Sequence, residues 1–153
     1  MNKRLQLPID IKLVHHPGQD ALILSFRREA LNDWCLGLCL LKEGLIETLA
    51  VTGERRKMSV EIGFGAKPEA SRVVRATLRS DTSVVEITNN DLDRLQHFFL
   101  RYYRDGVADV DHLDIDAISA ATGNRDVYIT FRVPDSRPPV GPKEAKERLR
   151  GAD

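Results

Sequence analysis

The segment TNNDLDRLQHFFLRYYRDG, at residues 88–106, constrains the fold of this 153-residue chain most strongly. Polar capping residues begin it, aspartates lie in its first turn, arginines lie in its last turn, and a glycine ends it. Its large apolar residues recur at three- and four-residue intervals: Leu92, Leu95, Phe99 and Tyr102. The segment therefore predicts an amphipathic helix that ends at Gly106.

The remaining apolar pattern predicts one more helix and several strands. Helical spacing runs from residue 28 to 43, whereas residues 44–52 fit either a continuation of that helix or a strand. Period-two alternation predicts strands in PIDIKLVHH, ALILSF, KMSVEIGFG, SRVVRATLR, SVVEIT, DVDHLDIDAI and DVYITFRV. We expect an α+β fold, with a mostly antiparallel sheet of about six or seven strands and two α-helices on one face.

The chain divides into one domain and a tail. Residues 1–133 are expected to form a single domain, long enough to bury a core without disulfides or metal ions. From residue 134 the sequence reads PDSRPPVGPKEAKERLRGAD, with four prolines in nine residues followed by a charged run. Such a segment has too little apolar surface to offset the entropy lost on ordering. Residues 134–153 are therefore predicted to be a disordered, flexible tail.

The net charge and the hydropathy of the chain give no support to several functional classes. The formal net charge is zero, so bulk attraction to nucleic acid or to an anionic membrane gains no support. No run approaches the roughly 18 apolar residues of a membrane-spanning helix, and the N-terminus lacks the apolar run of a secretory signal. A cytoplasmic protein without a cofactor is expected. Cys35 and Cys39 lie one helical turn apart without nearby soft ligands, and we interpret them as core residues.

The segment DVDHLDID contains four aspartates and one histidine. As a strand, it would direct Leu113 and Ile115 toward the core and His112, Asp114 and Asp116 toward the opposite face. Residues two apart on one face of a strand stand about 7 Å from each other, so the outward three form a row and not a closed cage. A divalent cation held by these three is the runner-up interpretation, because hard cations prefer carboxylates.

Negative charge is concentrated in the same part of the chain. Between residues 81 and 116 there are nine acidic residues and three basic ones. Acidic surfaces steer basic partners and accelerate their encounter, although an acidic face that serves solubility alone has the same pattern. We predict a partner-binding surface made of Asp105, Asp109, Asp111, His112, Asp114, Asp116 and Tyr103.

The run VVEITNNDLDRLQHFFLRYYRDGVADVDHLDIDA, together with DVYITFRV, resembles the carboxyl-terminal half of small bacterial immunity proteins from polymorphic toxin and secreted-effector systems. In those proteins a helix that ends in glycine precedes an HxDxD-like strand and a last strand. The resemblance covers roughly residues 83–133, under half of the chain. It implies a cytosolic, non-enzymatic antitoxin that binds and blocks a cognate toxin.

Two other functions remain open at this point. One is a metal-dependent hydrolase that uses the His112, Asp114 and Asp116 row, and the other is a structural subunit of a larger complex. The sequence contains neither GxSxG nor GxxxxGK[ST], so a serine hydrolase elbow and a phosphate-binding loop gain no support. The sequence does not specify the oligomeric state or the activity of the partner.

Overall fold

The computed structural model describes residues 2–54, 58–64, 73–105, 111–120 and 125–134, which form nine strands and two helices. In chain order the elements are β1 Asn2–Gln6, β2 Ile9–His16, β3 Gln19–Phe26, α1 Arg28–Lys42, β4 Thr48–Thr52, β5 Ser59–Phe64, β6 Val74–Thr77, β7 Thr82–Ile87, α2 Asn89–Asp105, β8 His112–Ser119 and β9 Asp126–Arg132. The predicted α+β class is confirmed. Apart from Pro134, the segment predicted to be a tail lies outside the described residues.

The nine described strands form one sheet, in the order β1-β4-β5-β7-β6-β8-β9-β3-β2. Four pairs of consecutive strands are antiparallel: β2–β3, β4–β5, β6–β7 and β8–β9. The other four pairs are parallel: β1–β4, β5–β7, β6–β8 and β3–β9. The prediction of a mostly antiparallel sheet with about six or seven strands was therefore wrong in size and in pairing. Alternation identifies the face that a side chain occupies, but it does not identify the neighbouring strand.

Two strands account for the larger sheet. β1 has the sequence NKRLQ, which shows no apolar alternation, and among the described strands it is an edge strand that pairs with β4 alone. β4 is the segment that fitted either helix or strand, and its three central residues are buried. Gly44 has a φ of +73°, so the chain turns after α1 and continues into β4.

The sheet is strongly curved, because its two edge strands are consecutive in the chain. Only Leu7 and Pro8 separate β1 from β2, although these strands occupy opposite edges. The Leu7 amide donates to the Thr52 carbonyl at 3.3 Å, which extends the pairing of β1 with β4. At the same end the Glu54 amide, just after β4, donates to the Ile9 carbonyl of β2 at 3.1 Å, so the two edges meet there. One face of the sheet therefore closes around the core, and we call the other face the outer face.

Both helices pack on the core side of the sheet, as the sequence predicted. Trp34 of α1 and Phe99 of α2 meet Phe26 of β3 and Phe131 of β9, with ring centroids 4.8–6.4 Å apart. All four rings are buried. These four rings form the centre of the core. Burying one such side chain stabilises the fold by about 1.5–3 kcal/mol.

α2 has the cap and the apolar face that its sequence predicts. The Thr88 hydroxyl accepts a hydrogen bond from the Asp91 amide at 3.1 Å and donates one to the Asp91 carboxylate at 2.8 Å. The predicted stripe is buried, and Phe98 is buried beside it. Neither helix of the described chain is long and apolar enough to cross a membrane.

Candidate protein-binding face

The outward side chains of β8 and β9 form a surface that we call the β8–β9 face. On β8, Ile115 and Ala117 are buried while His112, Asp114 and Asp116 are exposed, so the strand alternates as its sequence predicts. On β9 the buried positions are likewise every second residue. The face consists of His112, Asp114, Asp116, Asp126, Tyr128, Thr130 and Arg132.

Hydrogen bonds fix the carboxylate at the centre of β8. The Thr130 hydroxyl, which lies directly opposite on β9, donates to Asp114 Oδ1 at 2.7 Å. From α2, Arg94 Nη2 donates to the Asp114 carbonyl oxygen at 3.4 Å. Half of the Asp114 side chain remains exposed. The strand therefore presents this carboxylate to solvent in a defined position.

His112 lies between two carboxylates at the start of β8. Its Nδ1 donates to Asp111 Oδ1 at 2.9 Å, and its Nε2 is 3.7 Å from Asp114 Oδ2. The hydrogen bond from His112 lowers the pKa of Asp111, and the positive charge of Arg132 acts in the same direction. Arg132 is also the cross-strand partner of His112. The negative charge at this end of the face is thus partly compensated.

The row of His112, Asp114 and Asp116 does not converge on one point. Within the part of the chain that the structure describes, no group of three His, Cys, Asp or Glu residues is placed to hold a metal ion. Although His112 and Asp114 approach to 3.7 Å, residues two apart on one face of a strand form a row with a spacing of about 7 Å and not a cage. The metal site that was the runner-up interpretation therefore has no ligand set among these residues.

Other predicted binding residues have separate positions. Asp105 is the last residue of α2, and Arg104 donates two hydrogen bonds to its carboxylate, at 2.8 and 3.0 Å. These bonds lower the pKa of Asp105. Asp109 and the side chain of Tyr103 lie outside the described residues.

The structure separates the acidic residues of α2 from those of β8. α2 packs on the core side of the sheet, while the β8 carboxylates extend from the outer face. Arg94 Nη1 donates to Asp91 at 2.9 Å, and Lys42 of α1 forms an ion pair with Asp93. The excess of acids between residues 81 and 116 is therefore divided between two sides of the molecule, and much of the α2 share is neutralised.

Sequence reasoning missed the four β9 residues of the β8–β9 face, which are Asp126, Tyr128, Thr130 and Arg132. Tyr128 is 36% exposed and lies directly opposite Asp116, while Asp126 lies two positions before it on the same strand. No described side chain bonds to the carboxylates of Asp116 and Asp126. The alternation in DVYITFRV could have placed Tyr128 on the outward side, but its position next to Asp116 depends on the strand register.

A concave feature lies where the two sheet edges meet. It is a cleft of about 250 Å³ lined by Pro8, Ile9, Asp10, Ser25, Arg27, Glu54 and Pro134. Arg27 and Glu54 face each other there at 3.7 Å, and Asp10 is 3.9 Å from the amine of Lys12. Because these charges compensate each other, the cleft offers less charge for recognition than the β8–β9 face does.

Comparison with known proteins adds no assignment to this geometry. No protein-family model matches the chain, and no curated protein matches it.

Proposed function

We propose that this chain is a cytosolic immunity protein that binds a cognate bacterial toxin and blocks it through the β8–β9 face. The observation that carries the proposal is the pair Asp114 and Asp116, which are exposed on a strand whose other side is buried in the core. A strand anchored in this way loses little conformational freedom when its outer face is covered. The resemblance of residues 83–133 to immunity proteins supports the same function.

The charge of the face indicates the chemistry of the partner. A toxin that acts on nucleic acid or on a phosphorylated nucleotide needs a basic cleft for its substrate. Carboxylates at fixed spacing can occupy such a cleft in place of phosphate groups. Binding of this kind requires no bound metal and no catalytic group in the immunity protein.

The first experiment tests neutralisation. The reading frame adjacent to this gene is expressed in a bacterial host with and without this chain. We expect the neighbouring product to arrest growth alone and to be harmless when the two are expressed together. A neighbouring product that is harmless alone, or that remains toxic in the presence of this chain, contradicts the proposal.

The second experiment tests the surface, with association measured at several salt concentrations. The double variant Asp114→Asn/Asp116→Asn keeps side-chain size and removes two charges. We expect slower association with a weaker salt dependence, because electrostatic steering is reduced. The control, Glu61→Gln/Glu86→Gln, removes two charges from β5 and β7 on the same outer face. Equal rates for both double variants count against the β8–β9 face.

A further inference from the structure

We infer that Tyr128 and the carboxylates around it form a receptor for one arginine side chain on the basic surface of the partner. The inference deepens the proposed function and rests on it. It assigns the centre of the binding face to β9, a strand whose residues the charge pattern of the sequence did not single out. It also defines the recognised group as a guanidinium and not merely a positive charge.

The strand register surrounds Tyr128 with acidic and apolar side chains. Its neighbours on the outer face are Asp116 and Ala21 directly opposite, Asp126 and Thr130 along β9, and Asp114, Ile118, Gln19 and Ile23 on the diagonals. Directly opposite residues have Cβ atoms about 4.5–5.5 Å apart, and diagonal ones about 7–8 Å. Three carboxylates are thus within reach of a group seated on the Tyr128 ring, and none of these described neighbours is basic.

The lysine and arginine residues nearest to this part of the outer face are Lys12, Arg75 and Arg132, and each lies farther from Tyr128 than its carboxylate neighbours do. Lys12 of β2 is two strands away, and its amine is 3.9 Å from Asp10. Arg132 is four positions along β9 from Tyr128 and lies opposite His112. Arg75 is on β6, two strands from Tyr128, and it lies opposite Glu86 of β7. The carboxylates of Asp116 and Asp126 make no bond with a described side chain. The negative charge beside Tyr128 is therefore available to a cation from outside.

A guanidinium fits this arrangement better than an ammonium. Its planar group can stack on the tyrosine ring through a cation–π contact, while its forked N–H groups donate to carboxylates at the ring edge. Lysine carries a compact, strongly hydrated charge that lacks the planar fork. Tyrosine and arginine are also both enriched among the residues that contribute most to the affinity of protein interfaces.

Apolar side chains flank the same position. Across the sheet, the row through Tyr128 continues to Ala21 and Val14 on one side and to Asp116 on the other. Ala21 and Val14 are both partly exposed. They give the aliphatic stem of an arginine, and apolar residues beside it, a surface to cover.

The test uses two blocked peptides, hexa-arginine and hexa-lysine, titrated into the isotopically labelled full chain at physiological ionic strength and followed by NMR. Both carry the same charge, so the difference between them reports recognition of the guanidinium. We expect the arginine peptide to bind about two- to fivefold more tightly, which is the range of one exposed cation–π contact. The largest shifts should fall on β8 and β9 around Tyr128.

Three variants locate the preference. Tyr128→Phe keeps the ring and should keep the preference for arginine, whereas Tyr128→Leu should abolish it. Asp116→Asn/Asp126→Asn should weaken binding of both peptides. Glu61→Gln/Glu86→Gln removes the same charge elsewhere on the outer face and should have less effect. Because Tyr128 is partly exposed, its substitution should leave the fold intact, and the amide spectrum of each variant checks this.

Several outcomes overturn the inference: equal affinity for the two peptides, a preference that survives in Tyr128→Leu, or shifts centred away from β9. Its failure is distinguishable from failure of the proposed function. If the toxin is neutralised but the peptides show no arginine preference, the function stands and the receptor is wrong. If the peptides behave as expected but the neighbouring gene product is not neutralised, the receptor stands and the function is wrong.

Discussion

Asp20, the second residue of β3, is bound by Arg125, the residue immediately before β9. Arg125 Nε donates to Asp20 Oδ2 at 2.9 Å, and Nη2 donates to Oδ1 at 3.0 Å. The same Nη2 reaches the His16 carbonyl at 2.8 Å, and His15 Nδ1 donates to Asp20 Oδ1 at 2.8 Å. Only 13% of the Asp20 side chain is exposed. This bidentate ion pair stabilises the parallel pairing of β3 with β9.

The first prediction is that Asp20→Asn destabilises the protein near neutral pH and loses this effect in acid. Hydrogen bonds from Arg125, and then from His15, lower the pKa of Asp20 against the opposing effect of burial. A carboxyl whose folded pKa is lowered stabilises the fold above its unfolded pKa of about 3.9, and this contribution disappears as the pH falls through the folded value. Urea unfolding of the wild type and the variant should therefore converge as the pH falls below the unfolded pKa and through the lowered folded pKa.

The control for this prediction is Asp126→Asn, which removes an exposed carboxylate on the neighbouring strand. No described side chain bonds to that carboxylate, so this variant should show little difference from the wild type across the same pH range. A stability gap for Asp20→Asn that stays constant into acid would show that the loss arises from packing and not from the ionised pair.

The second prediction concerns the close approach of two chain segments at β5. A Cβ atom added at Gly63 would lie 2.8 Å from the backbone carbonyl of Glu47. Because a carbonyl in the main chain cannot move aside like a side-chain end, Gly63→Ala should destabilise the fold by about 1–3 kcal/mol. Gly53→Ala is the matched control, since its Cβ would make only ordinary contacts of 3.5 Å. Chemical denaturation that shows equal stability for the two variants contradicts the packing argument.

The sequence predicted those features that depend on residues close together in the chain. The cap at Thr88 and the inward position of Ile115 both follow from local patterns, and the structure contains both. The position of Tyr128 beside Asp116 follows instead from the pairing of β8 with β9. The bond between Asp20 and Arg125 likewise depends on a parallel junction between strands that are distant in sequence. Pairing between distant strands arises from packing around a shared core. The local spacing of apolar residues does not encode that pairing.

The third prediction is that the two cysteines differ in reactivity in the native state. Cys35 is buried, and this burial, with a smaller effect of Cys39, raises the pKa of its thiol to about 11. Cys39 is partly exposed, at the contact where Gln96 Nε2 donates to its sulfur at 3.6 Å. Because the thiolate is the nucleophile, iodoacetamide near neutral pH should alkylate Cys39 well before Cys35.

Mass spectrometry of peptides from timed samples measures this difference. Denaturation in urea serves as the control, because it removes burial and should bring the two rates together. Alkylation of Cys35 at the rate of Cys39 in the native protein would mean that α1 opens readily or packs less closely than the structure shows.

The last prediction compares the stability effects of substitutions at two neighbouring residues that lie on opposite faces of β8. Ile115 is 1% exposed in the core, whereas the side chain of Asp116 is exposed on the outer face. Ile115→Ala should therefore destabilise the fold by about 2–5 kcal/mol, since it removes buried volume. Asp116→Ala should change stability by no more than about 0.5 kcal/mol. Urea unfolding measures both values in the isolated chain, without any partner. A large loss from Asp116→Ala would place that carboxylate in a structural role, and a small loss from Ile115→Ala would mean that β8 is not held in the core as a rigid support for its outer face.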